Sequence, residues 1–207
     1  LDEVAAEVKS FELDIAAING LKSVVVAGPI DIVDKFKNYL ESKGIASVVL
    51  KTSHAFHSRM MNIVLDEFNS FVDTIEIKAP VIKIISTANT HLEITSNEYW
   101  AAHIANTVNF SPVMEKVIDE FDGNFLEVGP GQVLTKLTQK IASDKKAKRS
   151  FASTCATNVD SEEAALLACF GKLWSLNYQL TDSRLLFEKH DQRRLPAPVY
   201  PFEKKEL

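Results

Sequence analysis

The chain has 207 residues, of which 46% are hydrophobic and 25% are charged, and its formal net charge is -5 at pH 7. These proportions are those of an ordinary globular protein with enough apolar residues for one core or two small ones. The negative net charge argues against a nucleic-acid-binding protein, which needs a concentrated basic face.

Cysteine usage and the absence of long apolar runs indicate a cytoplasmic protein. Cys155 and Cys169 match no metal-ligand spacing and are too few for a disulfide framework, so we expect reduced thiols. No apolar run approaches the roughly 20 residues of a membrane span. The acidic first residues are unlike a signal peptide, and the missing initiator Met suggests a chain cut from something longer. The basic run 145–149 (KKAKR) predicts a solvated loop.

The first fifty residues predict a small α+β unit. Asn19-Gly20 lies between two apolar runs and favours an antiparallel hairpin, in which an asparagine before glycine accepts positive φ. The order of elements is that of a split βαβ, ferredoxin-like unit without its first strand, which would precede Leu1. The predicted elements are a helix over 1–9, strands over 13–19 and 23–28, a helix from Pro29 to Gly44 and a strand over 45–50.

After residue 52, helices and strands alternate, which predicts a parallel α/β sheet whose ligands lie beyond the carboxyl ends of its strands. Ser111 is the expected N-cap of one helix, with Pro112 at its first position. The predicted elements are a helix over 60–72, a buried strand over 81–86, helices opening at Ser96 and Ser111, a strand from Asn124 into the turn 129–131, and helices over 133–141 and 162–176.

Two further stretches have distinctive composition. The turn Gly129-Pro130-Gly131 joins a strand to a helix, where phosphate can bind, but its spacing fits neither the dinucleotide fingerprint nor the phosphate loop. Residues 193–202 carry three prolines and predict an extended segment. That segment either lies on a neighbouring surface or forms a semi-rigid linker, and its apolar anchors are Leu195, Val199, Tyr200 and Phe202.

The strongest candidates for chemistry are His54 and His57, which lie three residues apart at a predicted strand-to-helix junction. An imidazole with an unperturbed pKa of about 6.5 can take and return a proton near neutral pH. Two other interpretations stay open. The chain is a non-catalytic interaction module whose proline-rich tail docks a partner, or the two histidines belong to a metal site whose third ligand the sequence does not indicate.

Three stretches in fixed order carry a family resemblance: AAING (16–20) with VVVAG (24–28), SHAFHS (53–58), and LEVGPG (126–131) with VLT (133–135). Together they resemble the acyltransferase domain of modular type I polyketide synthases, which is related to the malonyl-CoA:acyl carrier protein transacylases. The resemblance implies an α/β fold, namely part of a hydrolase-like parallel-sheet subdomain with a small ferredoxin-like α+β subdomain.

The same resemblance implies a division of the chain into three parts. Residues 1–52 would form the ferredoxin-like small subdomain without its first strand, and residues 53–150 the C-terminal part of the hydrolase-like subdomain. Residues 151–207 would form a C-terminal helix and the linker that follows the acyltransferase in such synthases, which the tail 195–202 (LPAPVYPF) resembles.

In that family a serine in a G-H-S-x-G turn attacks the malonyl thioester, and a histidine acts as its general base. The acyl group then passes to the phosphopantetheine thiol of an acyl carrier protein. The resemblance assigns the base to His57. It implies no cofactor bound by the domain itself, since the carrier protein holds the phosphopantetheine. The implied partners are malonyl-CoA, the acyl carrier protein and an adjacent ketosynthase, with no nucleic acid and no membrane.

The resemblance also implies substrate-binding residues. The block His54-Ala55-Phe56-His57 is similar to the malonyl-selective signature of the family, whereas Tyr-Ala-Ser-His accompanies methylmalonyl. The ring of Phe56 would crowd an α-methyl group, which is worth about 1–3 kcal/mol of discrimination. Asn19 lies where the family has an asparagine near the cleft. His103 matches a position whose backbone carbonyl orients the catalytic imidazole.

The chain departs from the family pattern in one respect. Its 207 residues contain no G-x-S-x-G motif. The nucleophilic serine, the arginine that binds the malonyl carboxylate and the oxyanion-hole residues are therefore expected upstream of Leu1, and the chain alone is expected to be inactive.

Overall fold

The structure is a computed structural model that describes residues 2–88, 90–155 and 161–179. The predicted linker at 193–202 lies outside these residues. In the part that is described, no helix is long and apolar enough to cross a membrane.

The described residues form a mixed α/β structure in which helices predominate. Its elements are α1 (Asp2–Ser10), β1 (Asp14–Gly20), β2 (Ser23–Ala27), α2 (Ile30–Ser42), a 3₁₀ helix (Arg59–Val64), α3 (Leu65–Val72), α4 (Asn97–Ala105), α5 (Phe110–Glu120), β3 (Phe125–Glu127), α6 (Val133–Asp144), β4 (Phe151–Ser153) and α7 (Glu162–Ser175).

The predicted antiparallel hairpin of β1 and β2 is confirmed, but its turn lies later than expected. Gly20 pairs with Ser23, so the turn consists of residues 21 and 22, and Asn19 belongs to β1. Asn19 does not have a positive φ, so the turn explanation for this asparagine is wrong. The end of α2 follows the sequence closely, because Gly44 adopts a φ of 71° just after the helix.

The first hydrophobic core lies between the hairpin and the helices on either side of it. Val8 of α1, Leu13 and Phe36 of α2 are buried, with 2%, 3% and 3% of their surfaces exposed. The ring of Phe11 packs edge-on against Phe36 at 5.0 Å between centroids. Burying a side chain of this size stabilises a fold by about 1.5–3 kcal/mol. This core therefore holds β1 in place.

The second core lies between α5, α6 and a small parallel sheet. Its buried residues are Phe110, Ile118, Ile141 and Ala142. β3 and β4 pair in parallel, which confirms parallel strands in the second half of the chain. β4 was not predicted, because a three-residue strand is too short to show a periodic pattern. The division of the chain at residues 52 and 150 stays a prediction.

Two predicted strands, over 45–50 and 81–86, do not form. Their side chains are largely exposed, including Val48 at 85%, Val81 at 100% and Ile82 at 77%. A strand requires a neighbour that accepts and donates its backbone hydrogen bonds, and no described segment pairs with either run over its length. Both runs therefore present apolar side chains outward without the sheet that would bury them.

Serines lie at or near the starts of α4 and α5, but only one of them caps its helix. The predicted helix that opens at Ser96 is α4, and the Ser96 side chain caps it by accepting a hydrogen bond from the Tyr99 backbone N–H at 3.2 Å. Ser111 is not a cap. α5 begins at Phe110, two residues before the predicted first position Pro112, and the buried Ser111 hydroxyl donates instead to Glu115 at 2.9 Å.

The basic run 145–149 is less solvated than predicted at its last residue. The Arg149 side chain is only 17% exposed. Its guanidinium donates to the carbonyls of Ile118 and Phe121 at 3.0 and 3.2 Å and contacts Asp122 at 3.2 Å. These carbonyls lie at the C-terminus of α5, where backbone acceptors lack helical partners. Arg149 is thus a structural residue that closes the end of α5.

Glu127, the last residue of β3, is tied to the start of α6. Its carboxylate accepts hydrogen bonds from the backbone N–H groups of Leu134 and Thr135 at 3.1 and 2.8 Å. Desolvation by burial raises the pKa of this carboxyl, but the hydrogen bonds from Thr135 and Leu134 outweigh it and lower the pKa below its usual 4.5. The carboxylate also occupies amides that a phosphate at this turn would need.

We expect Glu127→Gln to lower the free energy of unfolding by about 1 kcal/mol at neutral pH, because the amide cannot complement the positive end of the helix dipole. A lowered folded-state pKa means that the stabilisation is present above the unfolded-state pKa and is lost as the pH falls through the lowered value. Urea titrations of both proteins at neutral pH and at about pH 2.5 should therefore show a difference that shrinks in acid. A difference independent of pH would contradict this assignment, and Glu76→Gln, at an exposed position, serves as the control.

Candidate active site

His57 is held in an unusual backbone conformation, in a turn that leads to the extended cap residue Ser58 and the 3₁₀ helix. Its φ is 59°, in the left-handed region, which costs a non-glycine residue about 1–3 kcal/mol. Its backbone N–H donates to the Ile104 carbonyl of α4 at 3.0 Å. The surrounding structure therefore imposes this conformation, and such strain is common at functional sites.

The imidazole of His57 has a defined protonation pattern. Its Nδ1 lies 3.2 Å from the backbone carbonyl oxygen of Asn106. A carbonyl oxygen only accepts hydrogen bonds, so Nδ1 carries the proton and donates it. In the neutral ring this leaves Nε2 with a lone pair, which is the state that a general base requires.

The next residue, Ser58, fixes the loop from inside. It is 1% exposed, its hydroxyl donates to the Ala55 carbonyl at 2.6 Å, and its oxygen accepts from the Met60 N–H at 3.3 Å. The side chain thus caps the 3₁₀ helix that follows. A hydroxyl that is buried and bonded in this way is unavailable as a nucleophile for its neighbour His57.

Arg59 ties the same loop to the start of β1. Its backbone N–H donates to Asp14 Oδ2 at 2.9 Å, and its Nε lies 3.1 Å from both carboxylate oxygens of Asp14. Its Nη2 donates to the Glu12 carbonyl at 3.0 Å. The Asp14 side chain is 27% exposed and that of Arg59 is 59% exposed, so the pair is at the rim of the molecule.

The segment that supplies the Asn106 carbonyl is bound to β1 as well. Asn106 follows α4 in an extended conformation, and Thr107 donates its hydroxyl to the Ile15 carbonyl at 2.7 Å. The N–H of Val108 donates to the Ala16 carbonyl at 2.9 Å. The N–H of Ile18 in turn donates to the Val108 carbonyl at 2.9 Å.

These residues surround an open cleft of about 260 Å³. It is lined by Asp14, Ile15, His57, Ser58, Arg59, Ala105, Asn106 and Thr107. His57 is therefore the sequence-predicted candidate that the structure places in a cleft, where an acyl group and a nucleophile could approach its imidazole.

The other candidate residues are not among those that line this cleft. His54 is exposed, and its Nδ1 lies 3.0 Å from the hydroxyl of Ser53. Phe56 is 45% exposed and packs edge-on against the His54 ring at 5.8 Å between centroids. Asn19 lies near the end of β1, on the strand whose first residues support the His57 loop. The roles predicted for these three residues stay predictions.

His103 contacts the site through its ring rather than through its carbonyl. The carbonyl that the His57 imidazole contacts is that of Asn106, so the prediction for the His103 carbonyl is wrong. Asn106 is the first residue beyond α4, and its extended backbone turns its carbonyl away from the helix axis. The His103 ring lies 6.2 Å from that of His57 and 6.5 Å from that of Trp100.

Sequence reasoning missed Asp14, Arg59 and the Asn106 carbonyl. Arg59 directly follows the histidine motif, but its partner Asp14 is 45 residues away along the chain. A backbone carbonyl has no sequence signature, since every residue has one. Among residues 2–88, 90–155 and 161–179, no three His, Cys, Asp or Glu side chains come together as a metal site.

The amino-acid sequence is similar to a known family and to known polyketide synthases. Residues 4–173 match the family described as acyl transferase domain. The polyketide synthase GfsA of Streptomyces halstedii is 32% identical over 195 residues, which are 92% of this chain and 3% of that protein.

Two solved acyltransferase domains are also similar. One, from the second module of the salinomycin polyketide synthase, is 27% identical with a TM-score of 0.77, over 94% of this chain and 47% of that chain. Another, of SpnD in complex with 2-(pent-4-yn-1-yl)malonyl, is 25% identical with a TM-score of 0.74, over 83% and 44%. The chain thus spans about half the length of these solved domains, and the predicted fold class is confirmed.

Proposed function

The chain belongs to the acyl transferase domain family, and on that premise we propose that it supplies the general base of a polyketide synthase acyltransferase that uses malonyl-CoA. The observation that carries the proposal is the His57 imidazole, whose Nδ1–H is bound to the Asn106 carbonyl and whose Nε2 is left as a proton acceptor beside a cleft. A serine hydroxyl placed at Nε2 would lose its proton to His57 as it attacked the malonyl thioester.

In each of the two half-reactions, His57 takes up one proton and returns it. In the first, the serine oxygen bonds to the malonyl carbonyl carbon, the carbon–sulfur bond breaks, and His57 returns the proton to the coenzyme A sulfur. In the second, His57 takes the proton of the phosphopantetheine thiol, the sulfur bonds to the acyl carbon, and the serine oxygen leaves and regains a proton. The carrier protein brings the phosphopantetheine, and an adjacent ketosynthase would use the loaded carrier.

The serine is proposed to come from another part of the acyltransferase. The chain contains no G-x-S-x-G motif, and Ser58, the serine next to His57, is buried and bonded to Ala55. The chain also spans 47% of the solved salinomycin acyltransferase chain. The unpaired runs 45–50 and 81–86 support the same proposal, because their exposed apolar side chains suit burial against further strands of a sheet.

Loading with labelled malonyl-CoA tests the proposal. We expect the complete polypeptide that carries this sequence to form an acyl-enzyme, and the 207-residue chain by itself to form none. Adding a carrier protein with phosphopantetheine should move the label from the enzyme to the carrier. A complete polypeptide that takes up no acyl group from any acyl-CoA would contradict the proposal and favour a docking module.

A further inference from the structure

Two separate segments hold the His57 imidazole and its acceptor, and both are bound to the first three residues of β1. The loop with His57 is bound through Arg59 to Asp14, and the segment with the Asn106 carbonyl is bound through Thr107 and Val108 to Ile15 and Ala16. Consecutive residues of β1 therefore set the distance between the His57 imidazole and the Asn106 carbonyl, and this contact defines the tautomer of His57.

The contact between Arg59 and Asp14 is more extensive than an ordinary ion pair at the surface. It combines a backbone N–H bond with a guanidinium Nε that approaches both carboxylate oxygens, and the same guanidinium also reaches the Glu12 carbonyl. Partly exposed ion pairs contribute little to overall stability. The effect of this pair should therefore appear in local geometry rather than in global stability.

The loop needs such a contact because its backbone does not prefer the observed conformation. His57 has a φ of 59°, and Glu12, two residues before Asp14, also has a positive φ, of 57°. A histidine released from these contacts relaxes toward the extended or helical regions. That relaxation would rotate the imidazole away from the Asn106 carbonyl.

We propose that Asp14 is a positioning residue, which acts through Arg59 to hold the His57 imidazole against the Asn106 carbonyl. The proposal rests on the proposed function, since it states how the base of that reaction is oriented. Asp14 and Arg59 line the cleft together with His57, so the pair lies at the site itself.

Variants of the pair in the complete acyltransferase test this assignment. Asp14→Ala and Arg59→Ala should each lower kcat for acyl loading about 10-fold and leave KM for malonyl-CoA within about 2-fold, because misplacing the base affects the chemical step. The double variant should lose no more than either single variant, since all three remove one contact. Asp14→Asn keeps an oxygen for the Arg59 N–H and should recover part of kcat.

A spectroscopic measurement reports on the His57 imidazole independently of enzyme activity. In the same proteins, the ¹⁵N chemical shifts of the His57 imidazole report which nitrogen carries the proton. We expect a single Nδ1–H tautomer in the wild type and a mixture in Asp14→Ala and Arg59→Ala. Asp119→Ala is the matched control, because it removes the partly exposed 2.8 Å ion pair between α5 and Lys145 at the end of α6.

The outcomes are distinct. Wild-type kcat and an unchanged His57 spectrum in both variants would overturn the proposal, and so would an equal loss in Asp119→Ala. If the complete protein loads no acyl group at all, the proposed function fails, but the His57 spectrum still decides the positioning role. A tautomer change confined to the Asp14 and Arg59 variants supports that role, and an unchanged tautomer removes it.

Discussion

Replacing His57 with alanine is expected to lower acyl loading of the complete acyltransferase by about 10²–10⁴-fold, the contribution of a positioned general base. The reason is structural. His57 is the histidine whose Nδ1–H is fixed by a carbonyl and which lines the cleft, so its Nε2 is ready to accept a proton. The measurement is the rate of acyl-enzyme formation from labelled malonyl-CoA, with the free energy of unfolding followed in parallel.

The matched control for this prediction is His54→Ala. His54 lies three residues away and is exposed, and its Nδ1 contacts the hydroxyl of its neighbour Ser53. We expect its replacement to change loading far less than that of His57. A larger loss in His54→Ala, or in Ser53→Ala, would move the base to His54 and overturn the assignment of His57.

Replacing Phe56 with serine is expected to relax the choice of acyl group. The ring is half-exposed and contacts the His54 ring, so its removal should cost little core packing. If the ring crowds an α-methyl group, kcat/KM for methylmalonyl-CoA relative to malonyl-CoA should rise by about 10–200-fold in Phe56→Ser, the effect of one methyl group in an apolar pocket.

The control for the Phe56 prediction is Phe71→Ser, which removes another exposed ring, from α3. We expect it to leave the ratio of the two kcat/KM values unchanged. A ratio that moves equally in both variants would indicate a general loosening of the structure, and an unchanged ratio in Phe56→Ser would show that Phe56 does not select the acyl group.

The exposed apolar runs also bear on how these experiments are carried out. Residues 45–50 and 81–86 present several large apolar side chains to solvent, and exposed apolar surface of this kind favours association with other chains. Activity measurements therefore belong in the complete polypeptide of the proposed function. The isolated chain serves as the negative control for the acyl-loading experiment.

The sequence by itself determined the elements whose signals are local. The apolar spacing along α2, α4 and α7 predicted their positions, because a helix satisfies its hydrogen bonds within one segment. The hairpin followed for the same reason, although its turn is displaced by two residues. The motif around His57 was likewise contiguous, and it led to both the family and the candidate base.

Only the tertiary structure decided what depends on distant residues. The runs 45–50 and 81–86 have strand-like composition, yet strands form only beside a partner, and composition does not say whether one is present. The carbonyl that the Nδ1 of His57 contacts lies 49 residues beyond His57, on Asn106. The contact of Arg59 with Asp14 spans 45 residues. Such pairings depend on how the chain folds in three dimensions, so a local pattern of side chains does not predict them.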